Sequence, residues 1–305
     1  RAGAAAPRRA TLVLDYLPNA VHAGIYRAIA AGYYRRAGID LKVIEPTSTA
    51  DTLKLIAAGK ADFGLADGID VAGLIDKGGD AQAILAITQR PLGGVIARSA
   101  PGLRSAKDLA GRTVGVTGVP SDAAVLSTVV RHAGGDPAKV RTVTIGFNGV
   151  LALATRKVAA FTGYWPADGT QARAKGVPLT IFELDENGGP AYPGLVAFTT
   201  RARIRDEPAV VRAFVAATAH GYRDTLADPA RSLDDLLAHD RALGRTLTQA
   251  SLRAYLPLFR GDAPRFGVLR ASRVRALSRW LVANGLIRRP IAASRYATDR
   301  FVPAG

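Results

Sequence analysis

The sequence predicts an α/β fold of two lobes joined by a hinge. Apolar runs typical of strands alternate with helical patterns through the first third of the chain, as they do where helices cover a parallel sheet. The same alternation restarts after residues 106–111, which indicates a second sheet with its own core. After one further strand near residue 195 the chain is almost entirely helical. These observations favour two α/β lobes followed by a helical return to the first.

The first lobe is predicted from the strands and helices before residue 98. Strands are expected at residues 11–15, 41–45, 62–65, 81–89 and 94–98, and helices at 22–31, 50–58 and 69–77. Pro18 and Asn19 end the first strand, because neither residue continues a central strand readily. Gly59 ends the second helix, since glycine commonly occupies the position after a helix. The order of strand, helix and strand indicates a parallel sheet covered on both faces.

The second lobe and the helical return follow from the same patterns. Strands are expected at 114–116, 140–145, 158–162 and 179–183, with helices at 122–132 and 150–155. A single strand at 195–200 precedes helices at 207–226, 230–239, 248–255 and 271–284. Pro208 suits the first turn of its helix, where a missing N–H costs nothing.

The expected domain boundaries follow from two crossings of the chain between the lobes. With crossings near residues 97–102 and 187–194, lobe I comprises 11–97 and 195–305, and lobe II comprises 98–194. Residues 1–10 are expected to be a flexible leader left after removal of a signal peptide. A double crossing makes a hinge, and ligands favour clefts between lobes. Two independent tandem domains are the alternative that this pattern leaves open.

Composition narrows the possible function classes. The 305 residues include no cysteine, which excludes disulfides, thiolate metal sites and cysteine nucleophiles. The net charge of +16 comes from scattered arginines without a dense tract or an aromatic platform, so it indicates attraction to anionic surfaces more than nucleic-acid binding. The four histidines lack metal-ligand spacing, and no catalytic set or cofactor motif is present. We therefore expect that the protein is not an enzyme and that it binds neither a metal nor a cofactor.

Polar and aromatic residues follow the first predicted strand at its carboxyl end. These are Asp15, Tyr16, Asn19 and His22. Open α/β sheets bind ligands outside the carboxyl ends of their strands, so these side chains are candidate ligand contacts. Asp67 opens the helix predicted at 69–77 and is a further candidate, with a purely structural N-cap as the alternative.

A loop of the second lobe offers backbone and hydroxyl groups. Thr117, Gly118 and Ser121 join a predicted strand to a predicted helix. Gly118 permits a close approach of the backbone, and the free N–H groups of a helix start suit an anionic or carbonyl oxygen. The loop lacks the lysine of a Walker motif, so nucleotide hydrolysis is not indicated.

Aromatic and acidic residues follow the strand predicted at 158–162. Tyr164 and Trp165 offer flat faces on which a heteroaromatic ring could stack. Asp168 could accept hydrogen bonds from an exocyclic amine or a protonated ring nitrogen. In the alternative interpretation, Trp165 packs beneath the loop and Asp168 caps a helix. Tyr192, in the second crossing, either contacts a ligand as part of a lid or stiffens the hinge.

Motifs spread over nearly the whole chain resemble one known family. They are Asp-Tyr-Leu-Pro-Asn at 15–19, His-Ala-Gly-Ile-Tyr at 22–26, and the segments at 31–40, 55–64, 108–116, 158–165, 266–267, 280–281 and 285–287. The chain resembles the periplasmic substrate-binding proteins of ABC transporters, in the branch of thiamine-pyrimidine-precursor binders and yeast-type pyrimidine synthases. Sulfonate and nitrate binders share most of these motifs.

The resemblance implies a monomeric, extracytoplasmic receptor that is not an enzyme, either free or lipid-anchored. It would close its two lobes over a small heteroaromatic compound, such as a thiamine pyrimidine precursor, and deliver it to an ABC permease in the membrane. In the pyrimidine binders an acidic residue after the Tyr164-Trp165 turn grips the aminopyrimidine. The matching residue is Asp168 where the family usually has Glu, and the shorter side chain leaves room for a larger ring such as riboflavin.

Two further functions stay open at this point. A receptor for a sulfonate, nitrate or another anion would use the helix start at 118–122 as its main anchor. A pyrimidine-synthase-like enzyme would use the same cleft, but the cysteine-rich iron motif that the resemblance implies for such enzymes has no counterpart in this chain.

Overall fold

Two five-stranded sheets form the framework of the computed structural model, which describes residues 6–304. The strands are β1 (Arg8–Val13), β2 (Ile39–Ile44), β3 (Phe63–Asp67), β4 (Gln82–Ala86), β5 (Gly93–Arg98), β6 (Thr113–Val116), β7 (Arg141–Thr144), β8 (Ala160–Tyr164), β9 (Leu179–Glu183) and β10 (Leu195–Thr199). These strands lie close to the predicted ones, because apolar runs bounded by Gly, Pro, Asn and Asp define them well.

Helices cover the sheets and make up most of the chain after β10. They are α1 (Ala23–Ala30), α2 (Tyr33–Arg36), α3 (Thr49–Ala57), α4 (Gly68–Asp76), α5 (Pro120–His132), α6 (Gly149–Ala154), α7 (Thr170–Ala174), α8 (Arg201–Asp206), α9 (Pro208–Ala227), α10 (Pro229–His239), α11 (Arg245–Arg260), α12 (Ala271–Ala283) and α13 (Ala293–Tyr296). A single π turn, Trp165–Gly169, precedes α7. No helix within residues 6–304 is both long and apolar enough to cross a bilayer.

Both sheets are mixed. In the first, ordered β2-β1-β3-β10-β4, β1 is parallel to β2 and β3, whereas β10 is antiparallel to β3 and β4. In the second, ordered β7-β6-β8-β5-β9, β6 is parallel to β7 and β8, whereas β5 is antiparallel to β8 and β9. The expectation of parallel sheets is therefore wrong at β5 and β10. Each of these strands enters its sheet from the other lobe and so runs against its neighbours.

The chain crosses between the lobes at residues 87–92 and 184–194. The sequence pattern places residues 94–97 in lobe I and the first crossing at 97–102, but β5 pairs with β8 and β9 of the second sheet. We therefore define lobe I as residues 6–86 and 195–304, and lobe II as residues 93–183. Of the expected leader, residues 1–5 lie outside the described range and residues 8–10 belong to β1.

The two crossings run side by side and are tied together. A Cβ on Gly194 would lie 2.4 Å from the carbonyl oxygen of Arg90, so only glycine allows this approach. The Arg90 guanidinium in the first crossing donates to Asp185 in the second, with Nε and Oδ2 2.7 Å apart. It also reaches Glu183 at 3.3 Å. The close approach at Gly194 and the hydrogen bonds of Arg90 make the crossings one connected hinge.

Helix α9 anchors the helical return on lobe I. Phe214 of α9 stacks on Phe63 of β3 with ring centroids 3.9 Å apart. Where α9 crosses α1, a Cβ on Gly221 would lie 2.0 Å from the carbonyl oxygen of Gly24, and a Cβ on Gly24 would lie 2.4 Å from the Tyr222 ring. This close crossing fixes α9, and with it the packed helices α10 and α11, against lobe I. Helix α11 thereby reaches the space between the lobes.

Candidate ligand-binding cleft

A cleft separates the two lobes at the carboxyl ends of β1, β3, β6 and β8. Its empty space, counted together with the open mouth, is about 690 Å³. Lobe I lines it with Asp15, Tyr16, Asn19, Asp67, Asp70 and Tyr255. The main side chains from lobe II are Thr117, Ser121, Asp122, Tyr164 and Asp168.

Most of the residues predicted from the sequence meet in this cleft. Those that line it are Asp15, Tyr16, Asn19, Asp67, Thr117, Ser121, Tyr164 and Asp168. The predicted residues that do not line it are His22, Gly118, Trp165 and Tyr192. The structure therefore places the candidate contacts, and their roles toward a ligand stay predictions.

Asp15 is held in position by His22. Asp15 follows β1, and its Oδ1 lies 2.9 Å from His22 Nε2. His22 Nδ1 accepts the backbone N–H of Asn19 at 3.2 Å, which leaves Nε2 to donate to Asp15. His22 is fully buried and orients Asp15 from behind. The polar turn predicted from the sequence thus holds the Asp15 carboxyl group in a fixed orientation.

Tyr16 and Asn19 complete the loop after β1. Asn19 accepts the N–H of Val21 at 3.0 Å and caps the short 3₁₀ turn that leads into α1. The Tyr16 hydroxyl donates to the carbonyl oxygen of Phe147 in lobe II at 3.2 Å, and the two rings lie 4.1 Å apart. Tyr16 therefore contacts the opposite lobe as well as the cleft.

Two carboxylates follow β3 at the start of α4. Asp67 accepts the N–H of Ile69 at 2.8 Å, as predicted for an N-cap, and the hydroxyl of Tyr192 at 3.1 Å. Asp70 accepts both the N–H and the hydroxyl of Ser121 at 3.1 Å, across the cleft. Burial raises the pKa of Asp70 to about 7, and burial together with the neighbouring Asp70 raises the pKa of Asp67. Tyr192 is fully buried beneath Asp67, so it supports the site from the hinge.

The start of α5 is already occupied by carboxylates of the chain itself. Asp122 Oδ2 accepts the Thr117 hydroxyl at 2.9 Å and the N–H groups of Gly118 and Val119 at 2.8 and 2.9 Å. Asp70 takes the N–H of Ser121. Gly118 has φ +103°, which explains the glycine, but its N–H faces Asp122. These N–H groups are the ones from which the sequence predicted a site for a ligand oxygen.

The turn after β8 separates its two aromatic residues. Tyr164 faces the cleft, whereas Trp165 is half-buried and packs against the cores of both lobes. Asp168 Oδ2 accepts the N–H of Tyr164 at 2.8 Å, and burial raises the pKa of Asp168 to about 7. A Cβ on Gly163 would lie 2.5 Å from this oxygen, so glycine makes room for the carboxylate. The packing of Trp165 beneath the loop matches the alternative interpretation of that residue.

Three titratable residues that line the cleft, Asp70, Asp122 and Tyr255, were not among the predicted contacts. Asp70 and Asp122 lie on helices, where a single acidic residue gives no sequence signal of its own, although both are close to predicted loops. Tyr255 lies on α11, which the sequence marked only by its apolar periodicity. Its side chain is fully buried, and its hydroxyl has no hydrogen-bond partner among residues 6–304.

The cleft is acidic although the protein is strongly basic. Five carboxyl groups line it, and no Lys, Arg or His is among its described lining residues; the carboxyls are those of Asp15, Asp67, Asp70, Asp122 and Asp168. The chain as a whole carries a formal charge of +16. Such a lining offers hydrogen-bond acceptors, and those of its carboxyls that are ionised attract positive charge and repel an anion. No group of three or more acidic or histidine side chains within the described range is arranged to hold a metal ion.

Comparison with known proteins identifies a family. The model of the family described as NMT1/THI5 like matches residues 19–232. A formylaminopyrimidine-binding protein of Halalkalibacterium halodurans is 28% identical over 92% of this chain and 87% of its own length. The riboflavin-binding protein RibY of Chloroflexus aurantiacus is also 28% identical, over 98% of this chain and 87% of its own. Proteins named 4-amino-5-hydroxymethyl-2-methylpyrimidine phosphate synthase are matched as well.

A solved structure shares the whole architecture. The periplasmic aliphatic sulphonate binding protein SsuA of Escherichia coli superposes with a TM-score of 0.75 at 14% identity, covering 98% of this chain and 94% of its own. At that identity the likeness concerns the fold. The chain has the periplasmic-binding-protein fold and belongs to the NMT1/THI5-like family.

Proposed function

We propose that this chain is an extracytoplasmic solute receptor that delivers a small heteroaromatic compound to an ABC importer. The ligand would carry hydrogen-bond donors, as a thiamine pyrimidine precursor does. Two relatives named for binding formylaminopyrimidine and riboflavin support this proposal, since both names describe nitrogen heterocycles.

The observation that carries the proposal is the acidic lining of an interlobe cleft with aromatic walls. Tyr16 of lobe I and Tyr164 of lobe II offer rings, while Asp15 and Asp168 offer carboxylates from opposite sides. A flat ring between the tyrosines would stack, and its N–H groups would donate to the carboxylates. Trp165 would support the loop from below, because it packs into the cores and not into the cleft.

Ligand binding would favour the closed arrangement of the lobes. A molecule that contacts Asp15 and Asp168 at the same time binds the closed state more tightly than the open one. Asp15 is preoriented by His22, and Asp168 by the N–H of Tyr164, so little ordering is needed on binding. The remaining candidates, Asn19 among them, would supply further polar contacts.

An anion receptor is the weaker alternative. It needs the start of α5 as an anchor, but Asp122 and Asp70 already accept the hydrogen bonds of that loop and helix start. A sulfonate or nitrate would also face five carboxyl groups without a cation among the described lining residues. We expect such anions to bind weakly or not at all.

A synthase activity is the other alternative. The relatives named as synthases show that the family includes enzymes. The cysteine-free sequence and the two relatives named as binding proteins favour binding without turnover in this chain. Chromatography of the ligand recovered after binding tests this point. If it showed that the protein had converted a bound pyrimidine, the proposal of binding without turnover would be wrong. The proposed partner is an ABC permease, which the receptor would meet as a monomer, free or lipid-anchored.

A thermal-shift screen with calorimetric titration tests the proposal. The probes are formylaminopyrimidine, riboflavin, an alkanesulfonate and nitrate. We expect one of the heterocycles to raise the Tm, since a ligand at about 100 times its Kd adds roughly 2.7 kcal/mol to the free energy of unfolding. Stabilisation by the sulfonate or nitrate, with no effect of either heterocycle, would refute the proposed ligand class.

A further inference from the structure

Tyr255 lines the cleft and carries a buried hydroxyl that has no hydrogen-bond partner among residues 6–304. The residue lies on α11, and its side chain is fully buried. A buried hydroxyl without a partner costs free energy that a phenylalanine would not, so its presence calls for an explanation. Tyr255 is also the part of the helical return that lines the cleft.

The packing around Tyr255 attaches its helix to the turn that carries Asp168. Its ring is stacked with that of Phe259, one turn further along α11, with centroids 5.8 Å apart and planes 9° apart. One turn earlier, the hydroxyl of Ser251 donates to the carbonyl oxygen of Pro166 at 3.1 Å. Pro166 belongs to the same π turn as Asp168. The helix is therefore attached to the turn that carries the acidic contact.

The two groups have complementary hydrogen-bonding capacities. Asp168 already accepts one hydrogen bond from Tyr164, and as a carboxylate it can only accept more. The phenol of Tyr255 can also donate. A ring edge that carries an N–H donor beside a nitrogen or carbonyl acceptor would satisfy both groups at once. An aminopyrimidine and a flavin ring both have such an edge.

We propose that Tyr255 is a ligand-binding, specificity-determining residue that donates a hydrogen bond to an acceptor on the ring edge whose donor binds Asp168. This proposal rests on the proposed function, because it assumes a heterocycle in the cleft. It adds a residue from the helical return to the contacts expected from the two sheets. The receptor would thus select rings by a donor and an acceptor placed side by side.

The test is Tyr255→Phe, titrated by calorimetry with formylaminopyrimidine and riboflavin. We expect the affinity for the bound probe to fall about threefold to tenfold, the effect of one neutral hydrogen bond. The Tm of the ligand-free variant should equal or exceed that of wild type, since no protein contact is lost. Tyr26→Phe is the matched control: its hydroxyl is also buried and without a partner in the described chain, but it lies outside the cleft.

The outcomes separate the two proposals. If wild type binds a probe and Tyr255→Phe binds it equally well, the role of Tyr255 is refuted while the proposed function stands. If the ligand-free variant melts well below wild type, Tyr255 is structural and the inference fails as well. If wild type binds neither heterocycle, the proposed ligand class falls, and the inference with it. Weaker binding by Tyr255→Phe alone, with Tyr26→Phe unchanged, supports the inference.

Discussion

Asp168 makes a structural hydrogen bond and is only partly ionised near neutral pH. Its carboxylate accepts the N–H of Tyr164, and burial raises its pKa to about 7. Near neutral pH the carboxyl is therefore divided between protonated and ionised forms. A ligand that brings positive charge into the cleft would favour the ionised form. The state of this single residue links pH, stability and binding.

Asp168→Asn should remove part of the pH dependence of stability. Because the pKa of Asp168 is raised in the folded protein, the folded state holds this proton from about pH 4 to pH 7 while the unfolded state has lost it. Asp168 therefore reduces the free energy of unfolding as the pH rises through that range. Urea unfolding should show the variant gaining about 1–3 kcal/mol on wild type between pH 5 and pH 8. An unchanged difference at the two pH values would contradict the assignment.

The same variant should bind the heterocycle more weakly. A hydrogen bond from a ligand N–H to a carboxylate is stronger than one to an amide, so we expect an affinity about tenfold to a hundredfold lower at pH 8. Calorimetric titration measures this directly. Asp40→Asn, which changes an exposed carboxylate on β2, is the control and should leave the affinity unchanged. Equal affinities of the two variants would remove Asp168 from the site.

At the scale of elements, glycine sets how closely α9 crosses α1. A methyl group placed on Gly221 would lie 2.0 Å from the carbonyl oxygen of Gly24 and 2.8 Å from the Cβ of Ala28. The closest contact is with backbone, so it cannot yield through a side-chain rotation. The helical return, including α11 and Tyr255, depends on this crossing.

Gly221→Ala should destabilise lobe I. Overpacking of a rigid contact costs about 1–3 kcal/mol, which urea unfolding can measure. Gly73→Ala on α4 is the matched control, because a Cβ there meets nothing within 4 Å. That control should be neutral or stabilising by up to about 1 kcal/mol, since alanine favours helices over glycine. Similar stabilities of the two variants would show that α9 can shift without cost.

At the scale of the molecule, hydrogen bonds join the lobes directly. The Tyr16 hydroxyl reaches lobe II at Phe147, Asp70 accepts from Ser121, and Ser251 donates to Pro166. The structure is thus a closed arrangement, with bonds across the cleft. These bonds contribute to the stability of the closed arrangement.

Ser121→Ala combined with Ser251→Ala should open the ligand-free molecule. Both serine hydroxyl bonds between the lobes are lost, while the Tyr16 hydroxyl bond to Phe147 and the Ser121 N–H bond to Asp70 remain. Small-angle scattering should show a larger radius of gyration for the ligand-free double variant than for wild type, and a heterocycle should reduce it again. Ser127→Ala, whose hydroxyl bonds within lobe II to Ala124, is the control. An unchanged radius would mean that these bonds do not hold the lobes together.

The sequence predicts the elements well and their directions less well. Pro18 and Asn19 marked the end of β1 because turn residues act locally, and the loop after it does line the cleft. The pairing of β5 and β10 could not be derived from local pattern, since it depends on where the chain crosses between lobes. Trp165 and Tyr164 are adjacent in sequence but face opposite ways, and only the packing of the π turn decides which one meets the cleft. Tyr255 could not be predicted as a cleft residue, because its helix reaches the cleft only through tertiary packing.

The paired crossings at Arg90, Asp185 and Gly194 have a consequence for how the receptor is tuned. Because the two crossing segments are tied to each other, we expect them to bend together, so that the lobes rotate about the hinge and do not slide past one another. A substitution in this hinge would change how far the cleft opens without ligand. It would thereby change the apparent affinity for every ligand without altering any ligand-binding residue. Substitutions in the hinge can therefore change the apparent affinity while leaving the ligand specificity unchanged.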